Sequence, residues 1–260
     1  MSQRVSARED TVALSAEFTD PRLVAVYDTL NPYSPGTQPD FYLDLAREVG
    51  ATTVVEVGCG TGLITVECAR AGFDTIGVEP SGQMLQIARR RAGANLVRWI
   101  PGGVEALDVR EVDLVFMAGH VAQFFLTDEA WRDAVTAIRA ALRSGGRLAF
   151  ETRNPARRAW EGWTPAATRR TAIDQVAGEI ETWTEVEDVI DGTVTALGHY
   201  RFVRSGQEIT VRSGLRFRSP QEIERSLRHA GFLIESLYGG WDRHPFTDED
   251  DEVVVVARAG

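Results

Sequence analysis

The chain has 260 residues and a net charge of −10, and all 28 of its basic side chains are arginine. Without lysine, Schiff-base catalysis, pyridoxal-phosphate anchoring and the phosphate-binding lysine of a P-loop are excluded, because each needs a primary amine that a guanidinium cannot supply. A composition 43% hydrophobic and 25% charged is that of a globular protein, and the acidic balance argues against a nucleic-acid partner, whose phosphates need concentrated positive charge.

Residues 1–11 alternate polar and charged side chains, so neither a signal peptide nor a membrane span is predicted there. Thr53–Val57 is a short β-branched run leading into Gly58-Cys59-Gly60-Thr61-Gly62, and residues 63–71 then read as a helix. Cys59 and Cys68 are the only cysteines; they make no disulfide framework and no zinc pair, and a reducing cytoplasm suits them. Residues 74–78 form a second strand ending at Glu79, after which Ser81 caps a helix with Met84, Leu85 and Ala88 on one face. Strands follow at 96–100 and at Val112–Met117. A helix then starts at Thr127, repeats Trp131, Val135, Ile138 and Leu142 at helical spacing, and is expected to stop at Gly145-Gly146. Residues 147–152 are the fifth strand. This alternation predicts a parallel sheet with helices on both faces.

From 179 to 218 the period changes to two, most clearly at Ile209, Val211, Ser213, Leu215 and Phe217, with turns at Asp191-Gly192 and Ser205-Gly206. The reading is an inserted antiparallel meander of three or four strands. Ser219, Pro220 and Glu222 then sign a capped helix with Ile223, Leu227 and Ala230 on one face, ending at Gly231. Strands at Phe232–Tyr238 and 252–257 complete the chain. The acidic run 248–251 between them lacks calcium-loop spacing and reads as a solvated turn.

A glycine loop between strand and helix lets a ligand approach backbone N–H groups, and an acid ending the next strand is placed to take the hydroxyls of an adenosine ribose. A dinucleotide fingerprint would put a third glycine at 63, where this chain has leucine; that spacing disfavours an NAD-dependent oxidoreductase, which stays as the alternative together with a non-catalytic cofactor-binding protein. The segment Glu56-Val57-Gly58-Cys59-Gly60-Thr61-Gly62, with Val78-Glu79-Pro80-Ser81 and Met84, and with 142–148 entering the fifth strand, resembles class I S-adenosylmethionine-dependent methyltransferases. The resemblance implies an α/β fold with a seven-stranded Rossmann-like sheet, helices on both faces and an inserted antiparallel β lid. Its parts are an N-terminal helical cap at 1–50, a cofactor-binding core at 51–152 and 219–260, and a lid at 153–218.

It also implies S-adenosyl-L-methionine as cofactor, with S-adenosyl-L-homocysteine as product. Glu56 and the backbone of Gly58, Gly60 and Gly62 would border the methionine end, Glu79 and Pro80 the ribose, and Met84 the adenine. Ala118 and His120 would close the methionine end, and Tyr27 would come from the cap. The family often carries an Asp after the third strand; here Gly103 and Val104 stand in that region, so their backbone is the expected adenine contact.

Methyl transfer from a sulfonium needs alignment and removal of a proton, not a metal. His120, at the mouth of the sheet, is the leading candidate base, with Tyr33 and His199 beside it. His229, near the end of the last helix, reads as structural. Residues 153–218 hold ten arginines against nine acids, so the −10 belongs to the rest of the chain. Arg153, Arg201 and Arg216 are candidates for an anionic or carbonyl-bearing substrate, or else for cross-strand ion pairs. Trp160, Trp163, Trp183, His199 and Tyr200 are candidates for an aromatic pocket. The expected activity is methyl transfer to an oxygen or nitrogen of a small molecule in the cytoplasm, with no nucleic-acid or membrane partner, and the lid is a candidate surface for a homodimer.

Overall fold

The computed structural model describes residues 14–33 and 38–260. Three short helices open it, α1 (Ala16–Thr19), α2 (Pro21–Ala25) and α3 (Tyr27–Leu30), followed by α4 (Gln38–Glu48). The core then runs β1 (Thr53–Val57), α5 (Leu63–Arg70), β2 (Asp74–Glu79), α6 (Gly82–Ala88), β3 (Val97–Pro101), β4 (Val112–Met117), α7 (Asp128–Ala141) and β5 (Leu142–Arg153). The insertion holds α8 (Pro165–Thr168) and the strands β6 (Arg170–Asp174), β7 (Gly178–Ile190), β8 (Thr193–Phe202) and β9 (Gln207–Arg216). Helix α9 (Pro220–His229) returns to the core, and β10 (Phe232–Tyr238) and β11 (Glu252–Ala259) finish it.

The main sheet has the order β10-β11-β5-β4-β1-β2-β3, with β11 antiparallel between β5 and β10. Its central strands are buried on both sides, which is why β1 and β4 read as mainly apolar runs, each interrupted by one acid, Glu56 and Asp113. In β11, Val253, Val255 and Ala257 face the layer that contains Trp131, Ile138 and Leu227 of α7 and α9. Val254 and Val256 face the opposite layer, with Tyr42 of α4 and Ile64 of α5. The second sheet is the antiparallel meander β6-β7-β8-β9. Both hairpin turns fall where expected, with Asp191, Gly192 and Gly206 at positive φ.

Three differences from the sequence expectation have local causes. Helix α7 stops at Ala141, four residues before the Gly145-Gly146 pair, and the pair lies inside β5. Gly145 is left-handed there, and a Cβ on Gly146 would sit 2.9 Å from the Val112 carbonyl, so the glycines serve a register shift against β4. The insertion has four strands, within the expected three or four, but the first, β6, lies before residue 179, ahead of the period-two pattern. The N-terminal stretch divides in two: α4 packs on the main sheet, whereas Leu23, Val26 and Leu30 of α2 and α3 pack against Ile180, Phe202 and Val211 of the lid. Among the described residues no helix is long and apolar enough to cross a membrane.

Candidate active site

A cavity of about 900 Å³ opens at the carboxyl ends of β1 and β4, roofed by the inner face of the lid and closed at one side by α1 and α3. It lies within the ~300–1,000 Å³ range of small-molecule sites, near the upper end, with room for a cofactor and an acceptor together. Open α/β sheets place ligands at this end of their strands.

The glycine loop forms its floor. Gly60 is left-handed (φ +54°) and a Cβ there would meet nothing within 4 Å, so the open side is the ligand's side. Gly62 is left-handed for the opposite reason. A Cβ there would lie 2.5 Å from the Trp99 ring, which packs beneath the loop. The Gly60 N–H donates to Glu79 Oε2 and the Ser81 N–H to Glu79 Oε1, both at 2.8 Å. Each carboxylate oxygen takes one backbone donor and keeps lone pairs for hydroxyl groups. Glu56 is buried (3% exposed) near the end of β1 and accepts from the Thr65 hydroxyl. Burial, helped by the nearby Glu79 and Glu151 carboxylates, pushes its pKa up to about 8 despite the Thr65 bond. A site whose floor holds a buried carboxylate without a countercharge fits a ligand that brings an ammonium group.

Beyond β4, His120 adopts a left-handed backbone (φ +60°). Its N–H donates to Glu151 Oε1 at 2.7 Å, and its Nε2 lies 3.0 Å from both carboxylate oxygens of Glu252. Glu151 is fully buried and also accepts from the Tyr42 hydroxyl and the Gln38 amide, so a network spanning β5, α4 and the loop after β4 fixes the His120 backbone. The Tyr33 hydroxyl donates to Asp40, which pushes the Tyr33 pKa up to about 12.

The cap is latched at both ends. Asp28 accepts from the Thr61 hydroxyl at 2.6 Å and from Arg91 at 2.5 Å, tying α3 to the glycine loop. The Ser81 hydroxyl donates to the Phe18 carbonyl, and Phe18 packs edge-on against Phe124. The Thr29 hydroxyl donates to Asp174 of the lid at 2.7 Å.

Of the residues expected at the cofactor, Tyr27, Glu56, Gly58, Gly60, Ala118 and His120 line the cavity, with Tyr33 beside them. Gly62, Glu79, Pro80, Met84, Gly103 and Val104 do not line it. Met84 is fully buried, and the Gly103 N–H is already bonded to Glu105 at 2.8 Å. His199 falls on the other side of the lid. Gly198 and Tyr200 point into the cavity, while His199 stacks on Trp183 and bonds Glu185 at 2.9 Å, away from anything bound there. Trp183 and Trp160 likewise leave the pocket, Trp160 packing on Phe217, so Trp163 and Tyr200 are the aromatic walls drawn from the expected set. Arg201 pairs with Glu181 and Glu208, and Arg216 with Glu222; Arg153 alone of the three reaches the cavity. The His229 ring caps its own helix through Nδ1 and the Arg225 carbonyl. In the acidic run, Asp250 takes the Thr247 and His244 donors of its own turn. Glu151, Glu252 and Arg170 were not singled out from the sequence. The signal for Glu151 was a carboxylate closing an otherwise apolar strand.

Fold and site together define an open α/β protein with one cavity bordered by the glycine loop, the buried Glu56 carboxylate and the inner face of an antiparallel insertion. Residues 54–146 match the family model described as a methyltransferase domain. Over 232 residues the chain is 24% identical to a glycine/sarcosine N-methyltransferase of Aphanothece halophytica, covering 85% of this chain and 82% of that protein. Its fold is shared with the CcbJ methyltransferase of Streptomyces caelestis (TM-score 0.71, 23% identity, 90% and 96% of the two chains). The sugar N-methyltransferase KedS8 of a Streptoalloteichus species is similar too (TM-score 0.69, 18% identity, 100% and 99%). Residues 54–146 thus match a methyltransferase domain, and over most of its length the chain is similar in fold to S-adenosylmethionine-dependent methyltransferases.

Proposed function

We propose that this methyltransferase modifies an oxygen or nitrogen of a small molecule held between the glycine loop and the lid, with His120 receiving the proton. The observation that carries the reading is the single cavity shared by Glu56, Gly58 and Gly60 on one wall and by Trp163, Tyr200 and Leu215 of the insertion on another. When bound, the cofactor supplies a sulfonium methyl that an acceptor lone pair displaces in line, the C–S electron pair staying on sulfur. Glu56 would hold its ammonium group and Glu79 its ribose hydroxyls. Glu252 orients the His120 ring through Nε2 and stabilises the imidazolium formed when the acceptor loses its proton. Tyr33, with its proton committed to Asp40, shapes the site rather than accepting a proton. A relative named for glycine and sarcosine and a neighbour named for a sugar amine support a small acceptor.

The test is incubation with S-adenosylmethionine and a panel of small amines and alcohols, reading homocysteine-cofactor release and a one-methyl mass gain. Glu252→Gln and His120→Ala should each lower kcat by about 10²-fold or more, the usual worth of a general base. Undiminished kcat in Glu252→Gln would remove the proposed proton path. Labelling of macromolecules alone in a cell extract would remove the small acceptor. A lid-to-lid homodimer would cover the exposed Ile173, Val176 and Ile190, and sedimentation should then show a dimer that Val176→Glu dissociates; a monomeric wild type would refute it.

A further inference from the structure

We propose that the acceptor space selects a small molecule carrying an anionic group, bound by Arg153 with Arg170 at the cavity mouth, within a few bonds of the atom that is methylated. The inference rests on the methyl-transfer reading and adds the chemical class of its substrate.

The charges lining the cavity carry the argument. Its acids are each engaged: Glu17 by the Tyr200 hydroxyl and, through space, by Arg170, Asp28 by Arg91 and Thr61, Glu252 by His120, and Glu56 by Thr65 and the ammonium it is placed to receive. The two guanidinium groups are not matched in this way. Arg153 gives Nη1 to Gln123 Oε1 at 2.8 Å, and Arg170 gives Nε to the Thr182 hydroxyl at 3.2 Å. Among the described residues neither has a carboxylate within ion-pair distance, although Arg201, Arg212, Arg216 and Arg169 of the same lid all do. A guanidinium has five donors in a planar fork that fits carboxylate and phosphate oxygens, so most of each fork is uncommitted.

Arg153 is also held rigidly. Its Cζ lies 5.4 Å from the Trp163 ring centroid, and Gln123 beneath it is fully buried. Its cross-strand partner in the β5–β11 ladder is Glu252, whose two carboxylate oxygens both lie 3.0 Å from His120 Nε2 and make no ion pair with Arg153. Burial lowers the Arg153 pKa, and the nearby Glu252 and Glu151 carboxylates oppose that only in part, through space and without a direct ion pair. Opposed residues of an antiparallel ladder present their side chains on one face, so Arg153 and the Glu252–His120 pair border the same cavity and can engage two groups of one small molecule.

The experiment uses the full chain saturated with S-adenosylhomocysteine and titrates three probe sets by calorimetry: small hydroxy- and amino-carboxylates, phosphate monoesters of similar size, and the uncharged amides of the carboxylates. The charged probes should bind at least ten-fold more tightly than the amides. Arg153→Gln should erase that preference without changing homocysteine-cofactor affinity, Arg153→Lys should keep part of it, and Arg170→Gln should weaken it. Whether carboxylates or phosphates bind tighter identifies the source of the anion. Amides binding as well as acids, no charged probe binding, or a loss of homocysteine-cofactor affinity in Arg153→Gln would each overturn the proposal. Failure of the wild type to bind S-adenosylhomocysteine is a separate result, and would remove the underlying reading instead.

Discussion

Replacing Glu56 by glutamine is expected to stabilise the ligand-free protein while weakening its hold on the cofactor. Glutamine keeps the shape of the side chain and its acceptor for the Thr65 hydroxyl, and removes a charge that burial opposes. The folded-state pKa of about 8 stands above the ordinary 4.5, so the fold binds this proton more tightly than the unfolded chain does. The contribution to stability is therefore fully present below pH 4.5 and is lost as pH rises through 8. A difference of 3.5 pKa units corresponds to roughly 5 kcal/mol in total, of which about 3 kcal/mol has been lost by pH 7 and under ~1 kcal/mol by pH 5. For a chain slightly longer than 250 residues, at ~2–4 °C per kcal/mol, Glu56→Gln should raise the ligand-free Tm by about 6–12 °C at pH 7 and by only ~1–3 °C at pH 5. Scanning calorimetry of both proteins from pH 5 to 8 measures this directly. A variant less stable than wild type at pH 7, or a gap that does not widen with pH, would refute the reasoning. Cofactor binding supplies the missing countercharge, so the wild type should release close to one proton per cofactor bound at pH 7, seen as a buffer-dependent binding heat, and Glu56→Gln should release none.

Two glycines of one loop should respond differently to alanine. Both are left-handed and cost about 1–2 kcal/mol when a Cβ is added; Gly62→Ala also strikes the Trp99 ring and should lose stability well beyond that in urea unfolding, whereas Gly60→Ala should lose little stability but at least ten-fold in cofactor affinity. Equal effects at the two sites would contradict the assignment of sides. Asp113 accepts from Thr52 and Thr53 N–H groups at 2.8 and 3.0 Å and pairs with Arg143, and these bonds hold its pKa well below 3.8. Its contribution is present above pH 3.8 and is lost as pH falls through the depressed value; Asp113→Asn should cost about 1.5–3 kcal/mol at neutral pH, with the gap closing in acid, and a pH-independent gap would show that the charge is irrelevant.

Strands β1, β2, β4 and β11 are legible because each is rich in Val, Ile or Thr and bounded by turn residues, and Glu79 is legible because it ends the second of them. The Gly145-Gly146 pair misleads, since glycines end helices and also relieve strand irregularities, and the choice depends on the Val112 carbonyl across the ladder. Strand β6 has no apolar alternation because its inner face is only partly buried and carries Arg170 and Asp174 beside Ala172, so only its pairing with β7 reveals it. Helices α1 to α3 are four or five residues long, too short for periodicity, and exist through contacts to α6 and the lid. Within the site, the loop and its acids are local features. The Glu151 network is not: its partners Gln38 and Tyr42 lie more than a hundred residues away, and Glu252 is still farther from His120. His199 and Tyr200 differ by one residue, so which of them meets the cavity is decided by strand parity that their sequence alone does not set.

Calorimetric titration of the ligand-free protein with S-adenosylhomocysteine tests the central claim, that the glycine loop, Glu56 and Glu79 form the cofactor site. The account predicts one site per chain, an affinity lowered at least ten-fold by Glu79→Ala through loss of both ribose acceptors, and proton release that depends on Glu56. No binding by the folded wild type, or binding unaffected by Glu79→Ala, would contradict it.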